Sequence, residues 1–431
     1  MADMIGIRTM RGGIAPRIAA RRRLMASALV AIGLVCGSLV IDTAHADPAP
    51  ALLWKHRVGG TGFDYATAVA TDAVGNVIVA GPTNGPFAGP NKGGVDIFIA
   101  AFAGSGTPLW KRKLASGKSE GEAHLAIDSD GNLAVASDTE GSIGQSNRGR
   151  YDAFVVSYAP DGTVRWRHQP GTRRLDVLTA VAASDAGHVV IAGWTEGRLA
   201  EKKGGTDGLV IKYAANGAEQ WRHQLGTTGD DEIAGVAIDA AGNVVVAGNT
   251  DGSLVGTGEG NTDGFIVRYA PNGTELWRTQ FGSGLTDRLR RVAIDESRNI
   301  IVAGDTSGDI GGPSNGEWDV FVSAYAPDGT HRWSAQLGAA SSDSLFGLAV
   351  DTAGDIVLAY KIHDDSVGED HPFCSVYSPA GVLKGTQPLP VSSDDPGEFT
   401  LDNADNVIVA GFASGTPDGD GFIAKYAPLS P

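Results

Sequence analysis

Residues 221–276 read WRHQLGTTGDDEIAGVAIDAAGNVVVAGNTDGSLVGTGEGNTDGFIVRYAPNGTEL, and versions of this stretch recur along most of the chain. The tryptophans that open successive copies are Trp54, Trp110, Trp166, Trp221, Trp277 and Trp333, spaced by 56, 56, 55, 56 and 56 residues. A seventh copy carries Gly385 at the tryptophan position. One such unit cannot bury its own apolar face, so copies must stack on their neighbours. The repeat therefore overrides the two or three domains that 431 residues would otherwise imply.

Each copy divides into four short apolar runs, here named strands a to d. In the fourth copy they are Glu232 to Ile238, Asn243 to Ala247, Gly264 to Tyr269, and Thr274 into Trp277. Between a and b lies an Asp-x-x-Gly-Asn turn (72–76, 128–132, 239–243), and between c and d a Pro-Asp-Gly-Thr or Pro-Asn-Gly-Thr turn (160–163, 271–274, 327–330). Asp-Gly and Asn-Gly supply the positive φ of tight hairpins. The expected fold is all-β: a seven-bladed β-propeller of four-stranded antiparallel blades. Leu52-Leu53-Trp54 is a d strand with nothing before it, and 421–426 is a c strand with nothing after it. The N-terminal strand is thus expected to complete the last blade and close the ring.

The pattern Val-Ala-Ile-Asp-x-x-Gly-Asn-Val-x-Val-Ala-Gly-x-Thr, followed by Gly-x-x-Asp-x-Phe-Val-x-x-Tyr-x-x-x-Gly, resembles the SBBP class of bacterial β-propeller repeat over residues 52–428. That resemblance implies an extracytoplasmic propeller and no shared reaction. Two copies depart from it, the sixth in its b–c segment and the seventh in its missing tryptophan.

Residues 1–46 read as an export signal that loosely resembles the twin-arginine type: a basic stretch ending in Arg21-Arg22-Arg23, an apolar run to Ile41, and Ala44-His45-Ala46 as the cleavage site. An uncleaved anchor is the competing reading. The expected organisation is a signal over 1–46 and one propeller over 47–431, monomeric and located in the periplasm, on the cell surface or outside the cell. Without the signal, 28 basic residues face 48 acidic ones. That balance disfavours nucleic acid and favours cations or basic partners. Cys374 would be the sole cysteine of the processed chain, expected as a small buried side chain.

Antiparallel connectivity puts the d–a and b–c connections on one face and the tight a–b and c–d turns on the other. The b–c segments differ strongly, GPNKGG in copy one, AEKKGG in copy three and VGTGEGN in copy four, so binding is expected on their face. The same face carries an acidic residue just before each strand a: Asp64, Glu120, Asp176, Asp231, Asp287, Asp343 and Asp395. These are either a carboxylate ring at the channel mouth, suited to divalent cations or a basic partner, or acceptors for backbone N–H groups of their own d–a turns. A second set, Asp96, Asp152, Asp207, Asp263, Asp319 and Asp420, recurs with Thr83, Thr139, Thr195, Thr250 and Thr306, and reads as blade bracing. Tryptophans opening the copies are expected between blades. Copy six places His363, Asp364, Asp365, Glu369, Asp370 and His371 together, a possible metal loop or a solvated one.

No cofactor motif is present. Gly117-Lys118-Ser119 lacks the context of a phosphate loop, and no His-Glu-x-x-His or Gly-x-Ser-x-Gly occurs. The leading expectation is a binding or scaffold propeller with a protein or glycan ligand. A propeller enzyme (lyase, lactonase or glycan hydrolase) predicts one asymmetric polar cluster at the channel. A multivalent lectin predicts equivalent pockets around the ring, with Trp194 and Trp318 as anchors.

Overall fold

The structure, a computed structural model, describes residues 48–430 except 257, 259, 392, 393 and 415–418. The export signal lies outside the described residues. No helix among them is long and apolar enough to cross a membrane.

Seven four-stranded antiparallel sheets succeed one another, six of them built from consecutive strands. The seventh is closed by Leu52–Val58, which pairs antiparallel with Asp420–Pro428 as the outer strand of a sheet that otherwise holds the last three strands of the chain. The expected closure is therefore present, and the two ends of the ring are held together by a hydrogen-bonded ladder that covers the edge of Asp420–Pro428.

The inner a strands are Ala68–Thr71, His124–Ile127, Asp176–Ala183, Asp231–Ile238, Asp287–Ile294, Asp343–Val350 and Asp395–Leu401. The b strands behind them are Val77–Thr83, Leu133–Thr139, Val189–Thr195, Val244–Thr250, Ile300–Thr306, Ile356–Asp364 and Asn406–Ala413. Strands b and c are almost wholly buried, because adjacent blades pack face to face on them. One apolar cluster combines Val190 and Val210 of blade 3 with Ile233, Val246 and Phe265 of blade 4. In blades 3 to 7 strand a carries a bulge, as between Ile233 and Gly235 or Leu289 and Arg291. The extra residue changes which side chains face the axis.

The a–b turns are fixed by their aspartates. Asp239 accepts from the Asn243 backbone N–H at 2.9 Å and from its side-chain amide at 2.8 Å. Asp72, Asp128 and Asp295 make the same pair of bonds to Asn76, Asn132 and Asn299. On the same face, the indole N–H groups of Trp221 and Trp277 donate to the Pro271 and Pro327 carbonyls in the c–d turn of the next blade, each at 3.0 Å. Gly273 and Gly329, at φ +86° and +89°, sit against those indoles, where a β-carbon would lie 2.8 and 2.9 Å from the ring. The tryptophans thus work between blades, as expected, and the turn glycine is required twice, by conformation and by contact.

Blade 6 differs where its sequence does. Strands b and c run on as a long hairpin, Asp364 opposite Glu369, in place of the wide b–c loop. Cys374 lies in its c strand, fully buried and free.

Candidate functional site

The acidic positions before strand a are, with one exception, held inside the blades. Six are buried. Asp176 accepts the Thr172 N–H at 2.6 Å and the Thr195 hydroxyl at 2.5 Å, and Asp287 repeats this with Ser283 and Thr306. Glu120 takes the Ser116 N–H at 3.2 Å and the Thr139 hydroxyl at 2.9 Å. Asp64, Asp231 and Asp343 accept N–H groups from Gly60, Thr227 and Ala339. Burial raises the pKa of all six, opposed by these bonds. Asp343, opposite Ile362 where blades 1 to 5 have threonine, is pushed up to about 7. Asp395 alone is exposed, and it pairs with Lys361.

The second acidic set braces b–c loops. Asp207 and Asp319 accept from backbone N–H groups four residues earlier and from Gln224 and Gln336 across the sheet. In copy six, His363 Nδ1 donates to Asp370 at 2.7 Å, and His371 lies 4.0 Å from Asp364. Among the described residues no group of three or more His, Cys, Asp or Glu side chains is placed to hold a metal ion.

A cavity of about 830 Å3 lies on the axis, lined by strand a of every blade. None of the seven acidic positions lines it. Its polar groups come from neighbouring repeat positions that differ from copy to copy. Blades 7, 1 and 2 contribute Glu398, Tyr65, Glu122 and Asp138, whereas blade 5 contributes Arg288, Arg290 and Arg291. Blade 4 adds Glu232 and Asn249. A half-buried Trp194 and a half-buried Trp318 stand at blades 3 and 5, and the Arg288 guanidinium lies 5.0 Å over the Trp318 ring.

Inter-blade bonds hold this wall together. Thr67 bonds Ala123, His124 Nε2 meets the Leu178 carbonyl at 3.0 Å, Thr179 bonds the Ile233 carbonyl, and Asn249 clasps Leu289. Arg291 reaches from blade 5 past the Phe346 carbonyl of blade 6 to Glu398 of blade 7, at 3.3 and 3.0 Å. Arg290 pairs with Asp305.

The electrostatics are lopsided. Burial, and to a lesser extent Arg291, lowers His124 to about 4, so it is neutral. Burial and then the Glu122 charge push Asp138 up to about 7. Glu398 also rises to about 7, chiefly by burial, with Arg291 opposing and Glu122 adding. Burial raises Tyr65, with Asp395, Glu122 and Glu398 adding to it. Glu122 therefore acts on three neighbours from three blades at once.

Sequence reasoning missed these residues. A signal existed in the variable position of Val-Ala-Gly-x-Thr, occupied by Pro82, Asp138, Trp194, Asn249 and Asp305, with Lys361 and Phe412 in the divergent blades. A position that varies inside a constant motif marks where the copies were free to differ.

Residues 220–254 match the family model of the SBBP β-propeller repeat. The chain is 24% identical over 331 residues to the regulatory protein FlaEY of Caulobacter vibrioides, covering 70% of this chain and 31% of that one. This chain thus spans about a third of that curated relative. Among solved structures it is similar to the WD40 domain of Neurospora crassa Pan2, with a TM-score of 0.51 at 10% identity, covering 89% of this chain and 99% of that one. It is also similar to the β-propeller domain of the trilobed protease from Pyrococcus furiosus, with a TM-score of 0.52 at 9% identity, covering 85% and 94%. These likenesses concern the propeller fold. The protease domain is described as having an open velcro topology, whereas here the N-terminal strand closes the ring.

Proposed function

We propose that this propeller, which carries SBBP-type repeat sequence, is an extracytoplasmic binding protein that holds one small polar ligand in its axial cavity, on the side of the d–a connections. The observation that carries the reading is the single asymmetric lining, with carboxylates from blades 7, 2 and 4 and guanidinium groups from blade 5 alone, on a scaffold whose other features repeat. A volume of about 830 Å3 is that of a small-molecule site. Equivalent pockets between blades, as a lectin would need, are not what this lining offers. Export rests on the basic and apolar character of residues 1–46.

The test is to plug the cavity. Ala234 lies at the bulge of strand a in blade 4 and lines it, so Ala234→Trp fills space without touching the polar wall. Ligand-observed NMR with mixed sugars, amines, amino acids and hydroxy acids should find binders to the parent protein that are lost in the folded variant. Binders unaffected by the plug would refute the reading.

A second reading, catalysis at the same site, is favoured by Asp138 and Glu398, each poised near neutral pH as a proton donor or acceptor. Turnover of a bound glycan or lactone, abolished by Glu398→Gln with binding retained, would establish it. Binding without turnover of any such compound leaves the first reading.

A further inference from the structure

The variable position of strand b has a structural use in two blades. In blade 4, Asn249 accepts the Leu289 N–H at 2.7 Å and donates to the Leu289 carbonyl at 3.1 Å. In blade 5, Asp305 accepts the Leu345 N–H at 2.8 Å and pairs with Arg290. Asp138 holds the same position in blade 2 and lines the cavity, yet its carboxylate bonds no side chain and no neighbouring strand among the described residues and meets only its own backbone N–H, although it is only 8% exposed. The link from blade 2 to blade 3 is made instead by His124 to Leu178. Asp138 is therefore released from the duty its counterparts perform.

Nothing in the wall compensates that charge. Glu122, two residues before the inner strand of the same blade, is exposed to the cavity and has no salt-bridge partner among the described residues. The lining arginines all belong to blade 5, and Arg290 and Arg291 are already paired with Asp305 and Glu398. A buried carboxylate whose one donor is its own backbone N–H is costly unless a cation meets it. A divalent metal would demand more oxygen ligands in a fixed shell, and no such group of side chains is assembled among the described residues. An ammonium needs only three acceptors.

We propose that Asp138 and Glu122 form the cation-binding end of the axial cavity, and that the ligand is a small molecule bearing a primary ammonium group. This rests on the reading of the cavity as a ligand site. The groups that act on the Asp138 charge are Glu122 and Glu120 of its own blade, and Tyr151 at the start of strand c, whose own titration feels Asp138. All are acidic or neutral, and with Asp138 raised to about 7, an ammonium must displace a proton at lower pH. Affinity should therefore increase as pH rises through neutrality.

The experiment is calorimetric titration of the full chain with putrescine, with 1,4-butanediol as its uncharged counterpart and with calcium chloride, at about pH 6 and about pH 8. Putrescine should bind more tightly at the higher pH, the diol should not bind, and Asp138→Asn and Glu122→Gln should each weaken putrescine by about 30-fold or more. Circular dichroism checks that both variants fold, and the exposed Glu122 gives a second route if Asp138→Asn does not. Absence of putrescine binding, binding that survives both substitutions, or calcium binding that alone responds to them would overturn the proposal. If amine-free ligands are lost on plugging with Ala234→Trp while putrescine never binds, the cavity reading stands and this one fails.

Discussion

Replacing Asp138 by Asn should stabilise the protein, and only above acidic pH. The carboxyl is pushed up to about 7 in the fold against 3.8 for an ordinary aspartate, because it is buried beside Glu122 and its own backbone N–H offsets this only in part. A raised acid pKa favours the folded state relative to its ionised form below 3.8, and that advantage is lost as pH rises through about 7. The three-unit difference sets a ceiling of about 4 kcal/mol at pH 8. Water entering the cavity and relaxation around the charge reduce this to roughly 1–2 kcal/mol. Asn keeps the shape and removes the charge, so thermal melts should rise by roughly 2–5 °C at about pH 8 and coincide with the parent at about pH 4. A variant no more stable than the parent at pH 8, or a gap that does not change with pH, would refute the account. A residue whose removal stabilises the fold is one kept for another reason, and ligand binding is such a reason.

Further substitutions test the scaffold. Thr306→Val removes the hydroxyl that donates to buried Asp287 and should lower the urea midpoint by the equivalent of about 1–3 kcal/mol. Trp221→Ala deletes an inter-blade contact and its bond to Pro271, and should cost about 2–4 kcal/mol in the same assay, with half-burial placing it below a full core truncation. Arg268→Met strands buried Asp239, which Arg268 meets at 2.6 Å, and should cost about 3–5 kcal/mol. Removing residues 48–58 strips the closing strand from Asp420–Pro428, so size-exclusion chromatography should show association through the exposed edge where the full chain is monodisperse.

Much of the fold was legible because each of its devices is local. The tryptophan spacing, the Asp-x-x-Gly-Asn turns and the unpaired strands at the two ends depend on short-range geometry, so counting residues yields seven blades and the closure by Leu52–Val58. The recurring acids were visible too, but their spacing left two placements open. The structure shows Asp176 and Asp287 bonded to their own turns and to Thr195 and Thr306, a matter of side-chain direction that spacing does not encode.

What only the tertiary structure decided is the axis. Glu122 and Asp138 of blade 2, Arg291 of blade 5 and Glu398 of blade 7 come from three copies far apart in sequence, and closing the ring brings them to one cavity. The bulge in strand a compounds this, because one inserted residue reverses the alternation and turns Arg290 or Ala234 toward the channel against the simple two-residue pattern. Local rules build each blade, while the lining depends on where seven of them meet, and repetition in the sequence hides the positions at which they differ.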